Sequence, residues 1–195
     1  NESVEVDMMI NPCLNCFMSC GQVNGKMFRI ISLPFMCQIQ FNIIFPIGSA
    51  TINQILDGLV LNHPSFIERE FLKLNPVRIH LIIPKFEIST IIELKELFTK
   101  INFNSHLFDE QCYDYSKLCF QNMINLVDLK HIAMFKMTTK TNDQEHASTS
   151  AIVSQDSKNN DLVKIPSFII NRPFIFLIYD PVKTLTLFVG KVQKL

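Results

Sequence analysis

The sequence predicts an α+β fold in which strands outnumber helices, and three observations carry that expectation. Two apolar runs at residues 168–179 and 185–192 are joined by Pro181-Val182-Lys183-Thr184, so they read as paired strands buried on both faces. Residues 27–35 and 38–45, rich in Phe and Ile, are bounded by Asn24-Gly25 and Pro46-Ile47-Gly48-Ser49, the punctuation of adjacent strands. Helical spacing, by contrast, is confined to short segments. Hydrophobic residues make up 48% of the 195, with 17 Phe and no Trp, which suits a thick sheet core.

Taken in order, the Asn24-Gly25 step predicts a tight turn into the first strand pair. Ile52, Ile55, Leu56 and Leu59 fall at helical spacing across 51–61, with Pro64 as the stop, and a second short helix is expected over 64–74. Val77-Arg78-Ile79-His80-Leu81 alternates as a half-buried strand. Thr90 with Glu93 three residues on reads as a capping box, after which Leu94, Leu97, Phe98 and Ile101 form one apolar helix face. Another short strand is expected over 132–137. From 138 to 161 the composition turns to Thr, Asn, Ser, Asp, Gln and Lys, with Ala147, Ala151, Ile152 and Val153 the apolar exceptions. An exposed loop is expected there, with too little apolar area to offset its ordering entropy, so proteases should nick it first. A structureless stretch of that length goes with function or with disorder.

Composition also removes function classes. The 18 basic and 18 acidic residues give a net charge of +0, which leaves no electrostatic footprint for nucleic acid or an anionic membrane. Charged or polar residues interrupt every apolar run before it reaches bilayer length. Five glycines form no phosphate-cradling loop, and no internal repeat is present. His63, His80, His106, His131 and His146 have no Ser or Cys nucleophile in a recognisable elbow, so the chain does not read as an enzyme, and no cofactor is implied. Cys13, Cys16, Cys20 and Cys37 include a gap of zinc-ligand type, but no His completes a familiar set. Buried thiols or a single disulfide are the preferred reading, with no metal, and Cys112 and Cys119 are taken as packing or surface residues. Asn1-Glu2-Ser3 is a formal glycosylation acceptor.

Asn171-Arg172-Pro173-Phe174 followed by Leu187-Phe188-Val189-Gly190-Lys191-Val192 closely resembles the C-terminal signature of the serpins. The resemblance continues upstream in family order. Val6-Asp7-Met8-Met9 is similar to the paired methionines at the middle of a serpin, Leu33-Pro34-Phe35 and Phe41-Asn42-Ile43-Ile44-Phe45-Pro46 to the two strands that follow. Val77 to Ile83 with Pro84-Lys85-Phe86, then Leu94-Lys95-Glu96-Leu97, then His131-Ile132-Ala133, resemble a strand and its ending, a helix, and the His-Lys-Ala strand start.

What the resemblance implies is one partial serpin domain over 1–195, the C-terminal half of a fold of mostly antiparallel sheets with a few helices. It would hold the second sheet, part of the third and two strands of the large one. An opening on Asn1 suits a piece of a longer protein. The C-terminal hairpin would lie at the centre, with Phe176 and Phe188 in the core, and Cys16 and Cys20 would fall on a strand. The implied function is serine-type endopeptidase inhibition, with a serine or cysteine endopeptidase as partner and an extracellular monomer as the setting; a cytoplasmic setting and a non-inhibitory binding, carrier or storage role are the alternatives.

By the same resemblance the interval 138–161 is the reactive-centre loop that a protease cleaves. An inhibitor must then slide the loop into its large sheet, which demands small hinge residues. Aligned without gaps from His131, Thr139-Lys140-Thr141-Asn142-Asp143 stands where inhibitors carry Glu-Glu-Gly-Thr-Glu, and Gln144-Glu145-His146-Ala147 stands over their alanines. Burying Asn142, Gln144 or His146 unpaired would cost about 1–3 kcal/mol each, so slow insertion is expected. A shifted alignment sets His146 to Ala151 over the alanines but needs an insertion ahead of the hinge. Counting forward puts the scissile bond near Gln155 and counting back puts it near Leu162; Lys158 would suit a trypsin-like protease and Leu162 a chymotrypsin-like one.

Overall fold

The computed structural model describes residues 5–35, 38–62, 65–103, 108, 126–138 and 165–194. In chain order the elements are β1 (Met8–Val23), β2 (Lys26–Pro34), β3 (Gln40–Pro46), α1 (Ile52–Leu61), α2 (Ser65–Phe71), β4 (Asn75–Pro84), β5 (Phe86–Glu93), α3 (Leu94–Lys100), β6 (Lys130–Met137), β7 (Ser167–Ile169), β8 (Phe174–Asp180) and β9 (Leu185–Val192). They form two compact units, Asn1–Lys85 with Thr139–Leu195, and Phe86–Thr138.

The larger unit is a seven-stranded sheet in the order β7-β4-β1-β2-β3-β8-β9. All its pairs are antiparallel except β4–β7. The β1–β2 turn is the expected one: Asn24 and Gly25 both take positive φ, 47° and 73°, the geometry that matches strand twist in a two-residue hairpin. α1 starts on a capping box, with Thr51 Oγ1 accepting from the Gln54 N–H and Gln54 Oε1 accepting from the Thr51 N–H. Ile52 and Ile55 from α1 and Phe71 from α2 pack with Val23, Phe28, Ile30, Ile44, Ile175, Leu177 and Tyr179 on one face of the sheet.

The opposite face is buried because the sheet curls. β7 and β8 stand five strand spacings apart in the sheet order, about 24 Å if flat. Yet only residues 170–173 join them, and five Cα steps reach at most about 18 Å. The sheet therefore closes toward its second face, and the Arg29 guanidinium of β2 lies 4.8 Å from the centroid of the Phe168 ring on β7. Cys16, Ile31, Phe41, Ile43, Ile79, Phe174 and Phe176 fill the concavity, all buried, with the Phe41 and Phe176 rings stacked at 5.6 Å.

The hairpin expected at the C-terminus forms, with β8 and β9 adjacent and antiparallel and Phe176 2% exposed, but its first strand is only Phe174–Asp180: the expected run 168–179 breaks at Asn171-Arg172-Pro173, and its first residues pair with β4 as β7. The expectation for Phe188 fails: it is 46% exposed, alongside the exposed Leu185, Leu187 and Val189. Among the described residues β9 is the outermost strand, paired on one side only, and the helix-covered core reaches no further than β8. Apolar content could not distinguish a penultimate strand from an edge.

In the smaller unit, β5 and β6 form a two-stranded antiparallel sheet followed in sequence, after β5, by α3. The Thr90–Glu93 capping box does not exist. Thr90 lies within β5 opposite Ala133, and Glu93, at the N-cap, makes no side-chain cap because its carboxylate is 3.0 Å from Lys130 Nζ. Strand pairing has taken both members of the motif. α3 begins at Leu94 and buries none of its residues, so the apolar face expected there is only partly covered, through the Phe98–Phe103 ring contact at 5.3 Å. α2 likewise ends at Phe71, short of the expected Leu74.

Candidate functional site at the anchors of the polar loop

The loop expected over 138–161 is approached from β6 and left through β7. On the approach, β6 is pinned to β5 by the Lys136–Glu87 ion pair at 2.7 Å and by Met137 opposite Phe86. On the exit, the His80 N–H donates to Pro166 O at 2.9 Å and the Ile170 N–H to Ile82 O at 2.8 Å. Between them β7 runs parallel to β4, His80 opposite Ser167, with Ser167 Oγ 3.3 Å from His80 Nδ1. Phe168 carries the Arg29 cation on its face, and Ile170 is 2% exposed. A three-residue strand is thus held by backbone, by a hydroxyl–imidazole contact and by a buried anchor beyond it.

The signature residues explain the next corner. Asn171, Arg172 and Pro173 are exposed and carry the chain around the curl from β7 to β8; Arg172 Nη1 donates to Gly48 O at 3.4 Å. Phe174 is fully buried. Gly190 is opposite Phe176, and a Cβ there would sit 2.3 Å from the ring of Phe176, so the ring rests on bare backbone that no other residue offers.

Of the sequence-predicted site residues, Thr139, Thr141, Asn142, Gln144, His146 and Ala147 of the hinge, and Gln155, Lys158 and Leu162 of the scissile region, lie outside the described residues. Sequence reasoning missed the His80–Ser167 and Arg29–Phe168 contacts. Alternation marked His80 as a strand residue, but its partner lies 87 positions away and no local signal joins them.

Other chemistry is sparse. Cys16 is buried, and burial pushes its thiol up to about 11; Cys13 and Cys20 are exposed free thiols on the same strand. Among the described residues no group of three His, Cys, Asp or Glu side chains could hold a metal, and no helix is long and apolar enough to cross a membrane. Lys130 is raised by its hydrogen bond to Glu93 and by the charges of Glu93 and Asp128. Among the described residues, His131, the strand-start histidine, stands opposite Ile92 on β6 and is exposed.

Comparison with known proteins agrees with this topology. The family model described as Serpin (serine protease inhibitor) matches residues 1–195. Serine protease inhibitor 88Ea of Drosophila melanogaster is 26% identical over 145 residues, 74% of this chain and 32% of the relative. Macrophage plasminogen activator inhibitor 2 of Mus musculus is 23% identical over 196 residues, 98% of this chain and 45% of the relative. Among solved structures, native protease nexin-1 with heparin superposes with a TM-score of 0.75 at 20% identity, covering 100% of this chain and 49% of that one. A serpin from the trematode Schistosoma haematobium gives 0.70 at 21% identity, covering 97% and 47%. The chain therefore spans a third to a half of the length of these relatives. With the curled sheet, the loop anchors and a family match along its whole length, this chain belongs to the serpin family, whose model is described as that of serine protease inhibitors.

Proposed function

We propose that this chain is the C-terminal half of a serpin domain, one domain over 1–195, that offers its loop to a serine or cysteine endopeptidase and is cut there without trapping the enzyme. The observation that carries the reading is that the polar interval departs from one strand, β6, and returns to another, β7, with each strand fixed to a neighbour. A polar interval bracketed by two paired strands is what the family resemblance would offer to a protease. Trapping demands a further step, entry of the cut loop beside β6, and Asn142, Gln144 and His146 would have to enter in place of small residues. A summed cost of several kcal/mol slows insertion while the acyl-enzyme hydrolyses. The polar hinge also favours the second reading, a non-inhibitory binding, carrier or storage serpin. The setting we infer from the resemblance is extracellular, with a cytoplasmic one as the alternative.

Incubation with trypsin-like and chymotrypsin-like proteases tests this. Cleavage within 138–161 or just past it, near Gln155, Lys158 or Leu162, is expected, with active protease released and little gain in thermal stability after the cut. An SDS-resistant covalent complex at a stoichiometry near one would overturn it, and a first cut inside α1 or α3 would remove the loop as the exposed bait.

A further inference from the structure

We propose that the open face of the β5–β6 ribbon is a self-association surface whose partner is the same face of a second copy. Residues directly opposite each other share a face, so Glu87 with Lys136, Ser89 with Met134, Ile91 with Ile132, and Glu93 with Lys130 form one side. Its centre is apolar and open, Ile91, Ile132 and Met134 being 62%, 65% and 62% exposed. Its ends are charged, and within the two strands the charges are sorted, with both acids on β5 and both bases on β6; Asp128, two residues ahead of β6, lies 3.5 Å from Lys130 Nζ and leaves that end with less net positive charge than the other. A single exposed apolar residue needs no explanation, but a contiguous apolar centre rimmed by charge is the pattern of an interaction site.

The sorting selects the partner. Two such ribbons stacked about 10 Å apart by a two-fold axis parallel to the strands place Glu87 over Lys136, Glu93 over Lys130 and Ile91 over Ile132 of the second copy, and the converse. That is the self-complementarity an isologous contact requires. A two-fold axis across the strands would instead set Glu87 over Glu93, and like charges reject that register. Eight residues at about 3.3 Å on two strands about 4.8 Å apart give a footprint near 26 Å by 10 Å, below the area of a permanent dimer. The association is therefore weak and reversible, visible at about 100 μM protein and above, and it adds to the monomer that the family resemblance implies.

Sedimentation velocity across a concentration series, with circular dichroism and thermal unfolding as folding controls, tests the inference. The wild-type mass should rise with concentration and fall back with added salt. Ile132→Lys should weaken association at least tenfold, as should Glu87→Lys with Glu93→Lys, which makes all four corners basic. The decisive variant exchanges all four charges, with Lys130→Glu and Lys136→Glu added. It keeps the 87–136 and 93–130 ion pairs with their signs exchanged and gives up only the 3.5 Å pair of residue 130 with Asp128, so it should associate with itself, yet not with the wild type, whose acidic strand would meet an acidic strand. A mass constant with concentration overturns the proposal, and so does association unaffected by Ile132→Lys or mixed dimers forming as readily as pure ones.

Discussion

β8 and β9 are neighbours with nearly the same apolar pattern and opposite fates. Of Phe174 to Leu177 every residue is buried, while four of the large apolar side chains on β9 are exposed. The difference lies in what flanks each strand. β8 has β3 on one side, β9 on the other, helices over one face and the curl of the sheet over the other, whereas among the described residues β9 has β8 and an open edge. Side-chain chemistry sets which segments can become strands; position in the sheet order sets how much water each strand loses.

The largest test of that contrast is Phe176→Ala. The ring lies on Gly190 and stacks on Phe41 inside the concavity, so its loss should cost about 3–5 kcal/mol through lost transfer energy and a cavity. Denaturant unfolding of both proteins measures it, and a cost under about 1 kcal/mol would mean the curl does not close as described. Gly190→Ala attacks the same contact from β9. The new methyl must displace the Phe176 ring, at about 1–3 kcal/mol, so an otherwise exposed strand should contain one sensitive position. Pairing it with Phe176→Ala should give less than the sum, because the two changes share one contact.

The thiols of β1 sharpen the comparison within a single strand. Cys16, in the concavity, has a thiol raised from 9.0 to about 11, while Cys20 is exposed. At pH 8 a disulfide reagent should label Cys20 quickly and Cys16 only at the rate of unfolding. The folded state holds the Cys16 proton more tightly than the unfolded chain does. Its contribution is therefore complete below pH 9 and lost as pH rises toward 11, on the order of 1–2 kcal/mol. Cys16→Ala should flatten that alkaline decline, and an unchanged decline would move its origin elsewhere.

These contrasts mark what a sequence can carry. Asn24-Gly25 was legible because the whole turn lies within two adjacent residues, and the cap at Thr51, whose partner Gln54 is three positions on, is equally local but was not singled out from the sequence. Thr90 and Glu93 have the spacing of a cap, but Ala133 and Lys130, some forty positions on, compete for them and win, and no local pattern encodes that competition. His80 and Ser167 meet only after the chain has left one unit and returned. The signature Arg172-Pro173-Phe174 was legible as a motif, while its physical role, turning a curled sheet's corner in four residues, needed the strand order. The hinge and scissile residues from Thr139 to Leu162 lie outside the described residues, and protease assays are their test.

The smallest expected effect falls at Phe188, and it is the one that isolates edge position from residue type. The same substitution that costs about 3–5 kcal/mol at Phe176 should cost under about 1 kcal/mol here, because a ring 46% exposed has already kept much of its contact with water and leaves no closed cavity when removed. Phe188→Lys should be tolerated nearly as well and should improve solubility, since a charge on an exposed apolar edge discourages strand addition by other chains. If Phe188→Ala instead destabilised as strongly as Phe176→Ala, β9 would have to be covered in solution by something beyond the described residues. The contrast between the two strands would then belong to this length of chain and not to the sheet itself.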